Sequence, residues 1–277
     1  RFNDGEIKND EQFAKKLSKL GEIYINDAFS CSHRKQASVH KITKYVKNSF
    51  GGPNLVKELR AINLILNNKS KPVTCIIGGS KVSTKIGVIS SLIKKVDNII
   101  IVGAMANNFM KFKGQEIGKS IVEDGAEKII RDIYKLSSSN DCNIIIPTDF
   151  VVSEDFNGKG VEKNFKNISK NEIILDIGPK TIKNVKNIID NSKTVMWNGP
   201  AGYFENKNFS NGTILIARKI SNNTSENSLI SIVGGGDTVS AIKNYTNTLN
   251  FTHLSTAGGA FLEYLEGKNL PGIEVLK

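Results

Sequence analysis

Four glycine-rich segments carry the residues whose types and spacing can do chemistry. Ile230 to Ser240 (ISIVGGGDTVS) reads as a strand, a phosphate-cradling turn and a helix start. Three consecutive glycines at that place are costly in chain entropy and are best explained by close backbone approach to a ligand. Asp237, at the helix start, can cap its own helix or hold a magnesium ion that bridges phosphate oxygens. Thr238 is either a first-turn residue or a phosphate hydrogen-bond donor. In Ile76 to Lys85 (IIGGSKVSTK), Lys81 and Lys85 stand four apart, so a helix beginning there would set both ammonium groups on one face, toward one phosphate chain. Neither the GxxxxGK[ST] nor the GxGxxG spacing is present. Trp197 to Glu205 (WNGPAGYFE) closes a tight turn on a carboxylate that suits ribose hydroxyls or is an ordinary surface glutamate, while Trp197 itself reads as core. Leu254 to Glu263 (LSTAGGAFLE) is a fourth turn into an apparent helix. Asn26 to Ser38 (NDAFSCSHRKQAS) clusters His33, Arg34 and Lys35, an arginine fork for a carboxylate or phosphate beside a histidine that is a base, a switch or merely structural. No Ser-His-Asp set, zinc spacing or carboxylate pair emerges. What remains is phosphoryl transfer, which asks the protein for alignment, cations and backbone donors.

The elements that must position these turns follow from apolar runs at Glu22 to Asn26, Val73 to Ile77, Asn98 to Val102, Asn143 to Ile146, Thr194 to Trp197 and Leu229 to Val233. Between several of them lie stretches with helical spacing, Lys85 to Val96, Ala126 to Leu136 and Ile182 to Ile189. That alternation predicts an α/β fold, a parallel sheet covered by helices on both faces, with its ligand site on the strand-to-helix turns at the carboxyl ends of the strands. GGP (Gly51 to Pro53), followed by amphipathic LVKELRAINLIL and polar NNKSKP, reads as a helix joining two domains or as a surface helix of a single one.

With 277 residues of which 39% are hydrophobic, the chain can bury a substantial core. No apolar run approaches membrane-spanning length, and RFNDGEIKND lacks the apolar core of a secretory signal. Three scattered cysteines fit buried free thiols in a reducing cytoplasm. The net charge of +11 permits an anionic partner. Lysines spread along helical patterns, without basic blocks or interleaved aromatics, point to a phosphorylated small molecule rather than nucleic acid. A dinucleotide enzyme would need a GxGxxG turn with an acidic residue about twenty positions on, and no segment offers it.

In this order, RFNDGEIKND, YINDAFSCSHRKQAS, VKELRAINLIL, GGSKVSTKIGVI, MANNF, IGKSIVE, LDIGPKT, TVMWNGPAGYFE, SIVGGGDTVSA and STAGGAFLEYLEGKNLPG resemble phosphoglycerate kinases along essentially the whole chain. The resemblance implies two α/β lobes facing a cleft. One is a parallel-sheet, three-layer, Rossmann-like nucleotide lobe for ADP or ATP with Mg2+, and the other is the incomplete end of a second α/β lobe. It implies reversible transfer of the acyl phosphate of 1,3-bisphosphoglycerate to ADP, giving ATP and 3-phosphoglycerate, by a cytoplasmic monomer of glycolysis. The implied boundaries are 1–53 for the phosphoglycerate-lobe remnant, 54–70 for the interdomain helix and linker, 71–259 for the nucleotide lobe and 260–277 for a segment returning toward the first lobe.

Carried over residue by residue, Lys85 matches the lysine at the nucleotide phosphates and Lys81 the one that follows the transferring phosphoryl group. Gly79, Gly103, Asn198, Pro200 and Glu205 match nucleotide positions, with Glu205 at the ribose. Gly235, Gly236, Asp237 and Thr238 match the nucleotide and magnesium turn, with Asp237 as the metal ligand. Arg1, His33 and Arg34 match the phosphoglycerate site, and Gly258 and Gly259 the helix start that stabilises the transferred group. Gln36 stands in place of the second histidine of the HRxH pattern, Ala257 in place of the first glycine of TGGGA, and Ala104 in a turn that is usually richer in glycine. Family members carry most of a lobe before the residues that match Arg1-Phe2. The resemblance therefore implies an N-terminally truncated or partial chain that binds magnesium-nucleotide better than it catalyses alone.

Overall fold

A computed structural model describes residues 1–67, 70–245 and 248–276. Asn68 and Lys69, in the polar NNKSKP stretch, lie outside the described residues. The chain divides into two compact units, 1–63 together with 256–277, and 64–255. The helix Pro53–Leu66 spans the point of division.

The larger unit is built on six strands whose neighbours all run parallel: β3 (Val73–Ile77), β4 (Asn98–Ile101), β5 (Asn143–Ile145), β9 (Thr194–Asn198), β10 (Ile230–Gly234) and β11 (His253–Ser255), in the order β11-β10-β9-β3-β4-β5. Every residue of β3 and β9 is buried, as strands covered on both faces must be, which is why the sequence reads as continuous apolar runs there. The chain leaves β3 toward β4 and β5 on one side, then returns to lay β9, β10 and β11 on the other. The direction of winding therefore reverses between β3 and β9, and a crevice opens at the carboxyl ends of strands at such a reversal.

On one face of this sheet, Ile76, Ile100, Val195, Trp197 and Val233 share a core with Ile182, Val185 and Ile189 of the helix Pro179–Asp190 and with Ile216, Ala217 and Ile220 of the helix Asn211–Glu226. The buried positions of the first helix, Thr181, Ile182, Val185 and Ile189, follow the 3.6-residue period. The helices Ile86–Ile93, Met105–Phe112 and Ala126–Ser138 form a second set, the third packing against the first two.

A second, three-stranded antiparallel sheet, β7-β6-β8, belongs to the same unit: β6 (Asp149–Ser153), β7 (Val161–Asn164) and β8 (Ile173–Ile177). It is absent from the sequence expectation: β7 (VEKN) is polar and mostly exposed, and β6 (DFVVS) and β8 (IILDI), though apolar, stand outside the alternation of strands and helices. Asp149 fastens this sheet to the main core. Its carboxylate accepts hydrogen bonds from the Lys180 and Thr181 amides at 2.8 and 2.7 Å and from the Thr181 hydroxyl at 2.6 Å, so a residue distant in sequence caps the helix Pro179–Asp190.

The smaller unit holds a parallel pair, β1 (Ile23–Asn26) and β2 (Asn48–Gly51), in register Ile23 to Asn48 and Ile25 to Phe50. Ile23, Ile25 and Phe50 are exposed. Asp27, just past β1, accepts from the Asn54 and Leu55 amides and so caps the helix Pro53–Leu66.

The Asp149 contacts generate a stability prediction. Asp149→Ala leaves two amides of a helix start without their acceptor, and should cost about 1–3 kcal/mol. Urea unfolding followed by Trp197 fluorescence should show a lower midpoint at unchanged slope. An unshifted midpoint would refute the capping role.

Candidate functional site

Two turns meet where the winding reverses. β3 ends at Ile77, and the Gly78 amide donates to the Asn198 carbonyl across 2.8 Å. A methyl group added at Gly78 would collide with the Gly199 and Pro200 backbone, and one added at Gly199, where φ is +103°, would collide with Gly78. The turn after β9 is held from three sides. Trp197, fully buried, donates its Nε1–H to the Gly199 carbonyl at 2.7 Å, so its core role also shapes the turn. The Gly199 amide donates to Thr238 Oγ1 at 2.7 Å and the Ala201 amide to Thr213 Oγ1 at 2.9 Å.

The helix read from Lys85 to Val96 begins at Ile86, with Lys85 as its N-cap residue, so no helix starts at Lys81 to align the two lysines. Lys81 and Lys85 therefore do not share a helical face. The Ser83 amide donates to Glu123 and the Thr84 hydroxyl to the Lys81 carbonyl, which holds 81–85 as a turn. Lys81 is exposed, whereas Lys85 is directed inward. The Lys85 ammonium donates to the Gly78 carbonyl and to Asn198 Oδ1 at 2.7 Å, and Asn198 in turn donates to the Gly234 carbonyl at 2.8 Å. Burial pushes the Lys85 pKa down to about 8, against the opposing pull of Asp237.

Asn198 joins the lysine turn to the GGGD turn. At Gly235, φ is +101° and an added methyl would stand 2.7 Å from Asn198 Nδ2, so this glycine is required by the protein itself. Gly236, by contrast, faces open space. The helix Gly236–Tyr245 starts one residue before Asp237, so Asp237 is its second residue rather than its N-cap, with the carboxylate exposed. Thr238 is buried behind it.

A cavity of about 270 Å³ opens beside these turns. Of the sequence-derived candidates, Gly79, Gly103, Pro200, Glu205 and Asp237 line it. Lys85, Asn198 and Thr238 do not, and stand behind the turns as supports. Among the described residues no group of three or more His, Cys, Asp or Glu side chains could hold a metal. Asp237 offers a single carboxylate, which suits an ion that takes its remaining ligands from phosphate oxygens and water.

The rest of the cavity wall escaped sequence reasoning. Phe150, Phe156, Ile173, Leu175 and Tyr203 give it an apolar side. Asp176 lies at its edge, buried, its carboxylate accepting from the Gly212 and Ile177 amides at 2.7 and 2.8 Å. Burial raises its pKa to about 7, opposed by those two amides. Tyr203 belongs to the WNGPAGYFE segment, and Leu175 and Asp176 to LDIGPKT, whose residues have no motif of their own.

In the smaller unit, Arg1 and Arg34 line a surface depression of about 570 Å³ with Asn3, Glu6, Gln36 and Ser38. Glu6 accepts from the Ser38 amide and hydroxyl at 2.9 and 2.7 Å and so fixes the loop that carries Arg34. His33 is not among those lining residues. Its Nε2 lies 3.0 Å from where a side chain at Gly259 would begin, at the start of the helix Gly259–Leu265. Burial lowers the imidazole pKa, with Arg34 adding to the effect and Glu263 opposing it. Gly259 thus lies against His33, and neither Gly258 nor Gly259 lines the depression of the two arginines.

The displaced Lys85 pKa gives a test with a fixed sign. Between pH 8 and 10.5 the unfolded lysine holds a proton that the folded one has lost, so Lys85 makes folding more favourable as pH rises through that window. The stability of the chain relative to Lys85→Met should increase from pH 8 to 10.5 in parallel denaturation series. A constant difference would refute the burial of a strained cation.

The sequence profile described as phosphoglycerate kinase matches residues 1–268. A phosphoglycerate kinase of Wolbachia pipientis from Culex pipiens is 44% identical over 275 residues, covering 99% of this chain and 69% of the relative. One of Orientia tsutsugamushi is 45% identical over 280 residues, covering 100% and 68%. Among solved structures, the phosphoglycerate kinase of Coxiella burnetii is similar with a TM-score of 0.91 at 39% identity, over 99% of this chain and 70% of that one. The enzyme of Pyrococcus horikoshii gives 0.82 at 27% identity, over 100% and 70%. The chain thus spans about 70% of the length of these relatives.

Proposed function

This chain belongs to the phosphoglycerate kinase family, and from that premise we propose that residues 64–255 bind ADP or ATP in the cavity beside the β3 and β9 turns. The observation that carries this reading is the convergence of Gly79, Gly103, Pro200, Glu205 and Asp237 on one cavity, with an ammonium group immobilised behind its glycine turns. The base rests on the apolar side, Glu205 accepts from the ribose hydroxyls, and the phosphate chain runs over the open backbone at Gly236 toward Lys85. Asp237 is the residue that would hold Mg2+, which supplies charge neutralisation across neighbouring phosphate oxygens. Asn198 orients Lys85, and Thr238 keeps the turn that presents Pro200 in place.

The reaction is exchange of one phosphoryl group between a carboxyl oxygen and the β-phosphate of ADP. The bond from phosphorus to the acyl oxygen of 1,3-bisphosphoglycerate breaks, a bond from phosphorus to the terminal ADP oxygen forms, and 3-phosphoglycerate leaves as a carboxylate, a stable anion that needs no proton. The protein therefore supplies position and positive charge. Lys81, exposed on its turn, follows the moving group, and the charge of Lys85, held behind the turns, attracts the nucleotide phosphates. In residues 1–63 and 256–277, Arg1 and Arg34 bind the phosphoglycerate anion, and the Gly258-Gly259 amides stabilise the transferred group. There His33 contributes by holding that glycine turn against the Arg34 loop. The same reading has the protein working as a cytoplasmic monomer in glycolysis. Among the described residues no helix is long and apolar enough to cross a membrane.

Calorimetric titrations of the chain test these roles separately. Lys85→Met should weaken ADP by about tenfold or more, the worth of a charge-assisted contact. Glu205→Gln should weaken ADP but leave pyrophosphate, which has no ribose, unchanged. Asp237→Asn should abolish the effect of Mg2+ on ADP affinity while sparing affinity in its absence. ADP binding that is indifferent to all three substitutions would sink the proposal.

A further inference from the structure

The turn that carries Lys81 is tied to the rest of its unit by a carboxylate 40 residues away. Between Lys81 and Lys85 the Thr84 hydroxyl donates to the Lys81 carbonyl at 2.9 Å and the Lys85 amide to the Val82 carbonyl at 3.0 Å. Both bonds lie inside the turn and fix only its shape. The Ser83 amide reaches outside it and donates to Glu123 Oε2 at 3.0 Å. Val82 is fully buried, whereas Lys81, Ser83 and Thr84 are exposed.

Glu123 is itself held in place. Its amide donates to Asn108 Oδ1 at 2.7 Å, and Asn108, buried in the helix Met105–Phe112, donates to the Met105 carbonyl at 3.3 Å. The segment before Glu123 is fastened to the same helix, since Asn107 Nδ2 donates to the Ile121 carbonyl at 3.1 Å. That helix follows β4, the neighbour of β3 in the sheet. A series of hydrogen bonds therefore runs from the helix after β4, through Glu123, to the turn after β3.

The carboxylate also feels the lysine. Hydrogen bonds from Ser83 hold the Glu123 carboxyl below its ordinary pKa; burial opposes them, and the Lys81 charge adds to the lowering. Among the described residues, however, the two side chains form no ion pair. An exposed carboxylate near an ammonium group can pair with it, and such a pair would compete with any anion for Lys81. Here the acceptor is engaged by a backbone amide, a donor whose place is set by the turn. The anion thus fixes the backbone beneath the lysine and leaves the ammonium available.

We propose that Glu123 is a positioning residue for Lys81: by accepting from the Ser83 amide it aims the lysine at the phosphoryl group in transfer, without capturing the ammonium itself. The inference rests on the reading of Lys81 as the residue that follows the moving group, and adds the residue through which it is aimed. In a nucleotide complex the moving group is the third phosphate of ATP, which ADP lacks. The ratio of ATP to ADP affinity therefore reads Lys81, while contacts common to both nucleotides cancel.

Calorimetry of the 277-residue chain with ATP and with ADP, each with Mg2+, gives that ratio. Lys81→Met should lower it about fivefold, the loss of one charge-assisted contact at an exposed position. Glu123→Ala should lower it by a similar factor, because the lysine loses its aim. Glu123→Gln keeps an acceptor for the Ser83 amide and should bring the ratio back to within about twofold of the unaltered chain. In the Lys81→Met background, Glu123→Ala should change the ratio no further, since both substitutions remove one contact. Folding of each variant is checked by Trp197 fluorescence in urea. Glu123→Asp, whose carboxylate stops one methylene short of the amide, should also lower the ratio and decides the matter if Glu123→Ala does not fold. An unchanged ratio in the folded variant, even where both affinities fall, marks a merely structural role and overturns the proposal. A Glu123→Gln ratio no better than that of Glu123→Ala, or a further fall in the Lys81→Met background, overturns it as well, and all of these results leave Lys81 standing. A ratio indifferent to Lys81→Met, or failure of the unaltered chain to bind either nucleotide, overturns both readings.

Discussion

The larger unit depends on one steric constraint. The turns that follow β3 and β9 touch through their backbones, and neither Gly78 nor Gly199 has room for a side chain. Because the sheet reverses its winding between these two strands, their turns are the two that diverge to opposite faces, and the point where they separate is the natural floor of a ligand crevice. Closing that floor with backbone alone has two effects. It brings the Gly78 and Asn198 carbonyls within reach of one ammonium group, and it leaves the outer surface of the turns, from Gly79 to Pro200, as bare peptide against which phosphates can lie.

Lys85 shows how the constraint becomes electrostatics. An ammonium group directed into a protein normally requires a carboxylate, yet this one is met by two carbonyls and an amide oxygen, none of which carries net charge. The positive charge is therefore solvated by dipoles without being neutralised, and its field persists toward Asp237 and the cavity. A salt bridge at the same place would hold the side chain as firmly and cancel the attraction for an anion. The hydrogen bonds from Asn198 and Thr238 extend the arrangement to β10, so lysine turn, proline turn and glycine turn move as one body.

Much of this was legible in the sequence because a parallel sheet buried on both faces writes itself as uninterrupted apolar runs, such as VTCII and NIII, each stopped by the glycine that begins its turn. Thr194–Asn198 was readable for the same reason, whereas Ile23–Asn26 reads as an apolar run although Ile23 and Ile25 are exposed. What could not be read depends on partners far along the chain. Lys81 lies in a turn before the helix, where Glu123, forty residues away, accepts from the Ser83 amide. Lys85 points inward because Asn198, 113 residues on, receives it. The apolar side of the cavity comes in part from an antiparallel sheet whose strand VEKN is polar. Sequence pattern reports burial and local backbone freedom; it is silent about which distant group completes a hydrogen bond.

The exposed face of the β1 and β2 pair has a practical corollary. Ile23, Ile25 and Phe50 present an apolar strip on strands that already have extended backbone, the geometry that templates addition of further strands from a neighbouring molecule. The fully buried strands β3 and β9 of the larger unit offer no such strip. None of the three residues lines the cavity beside the β3 and β9 turns, so the strip can be re-lettered with charged residues without touching a group in that cavity.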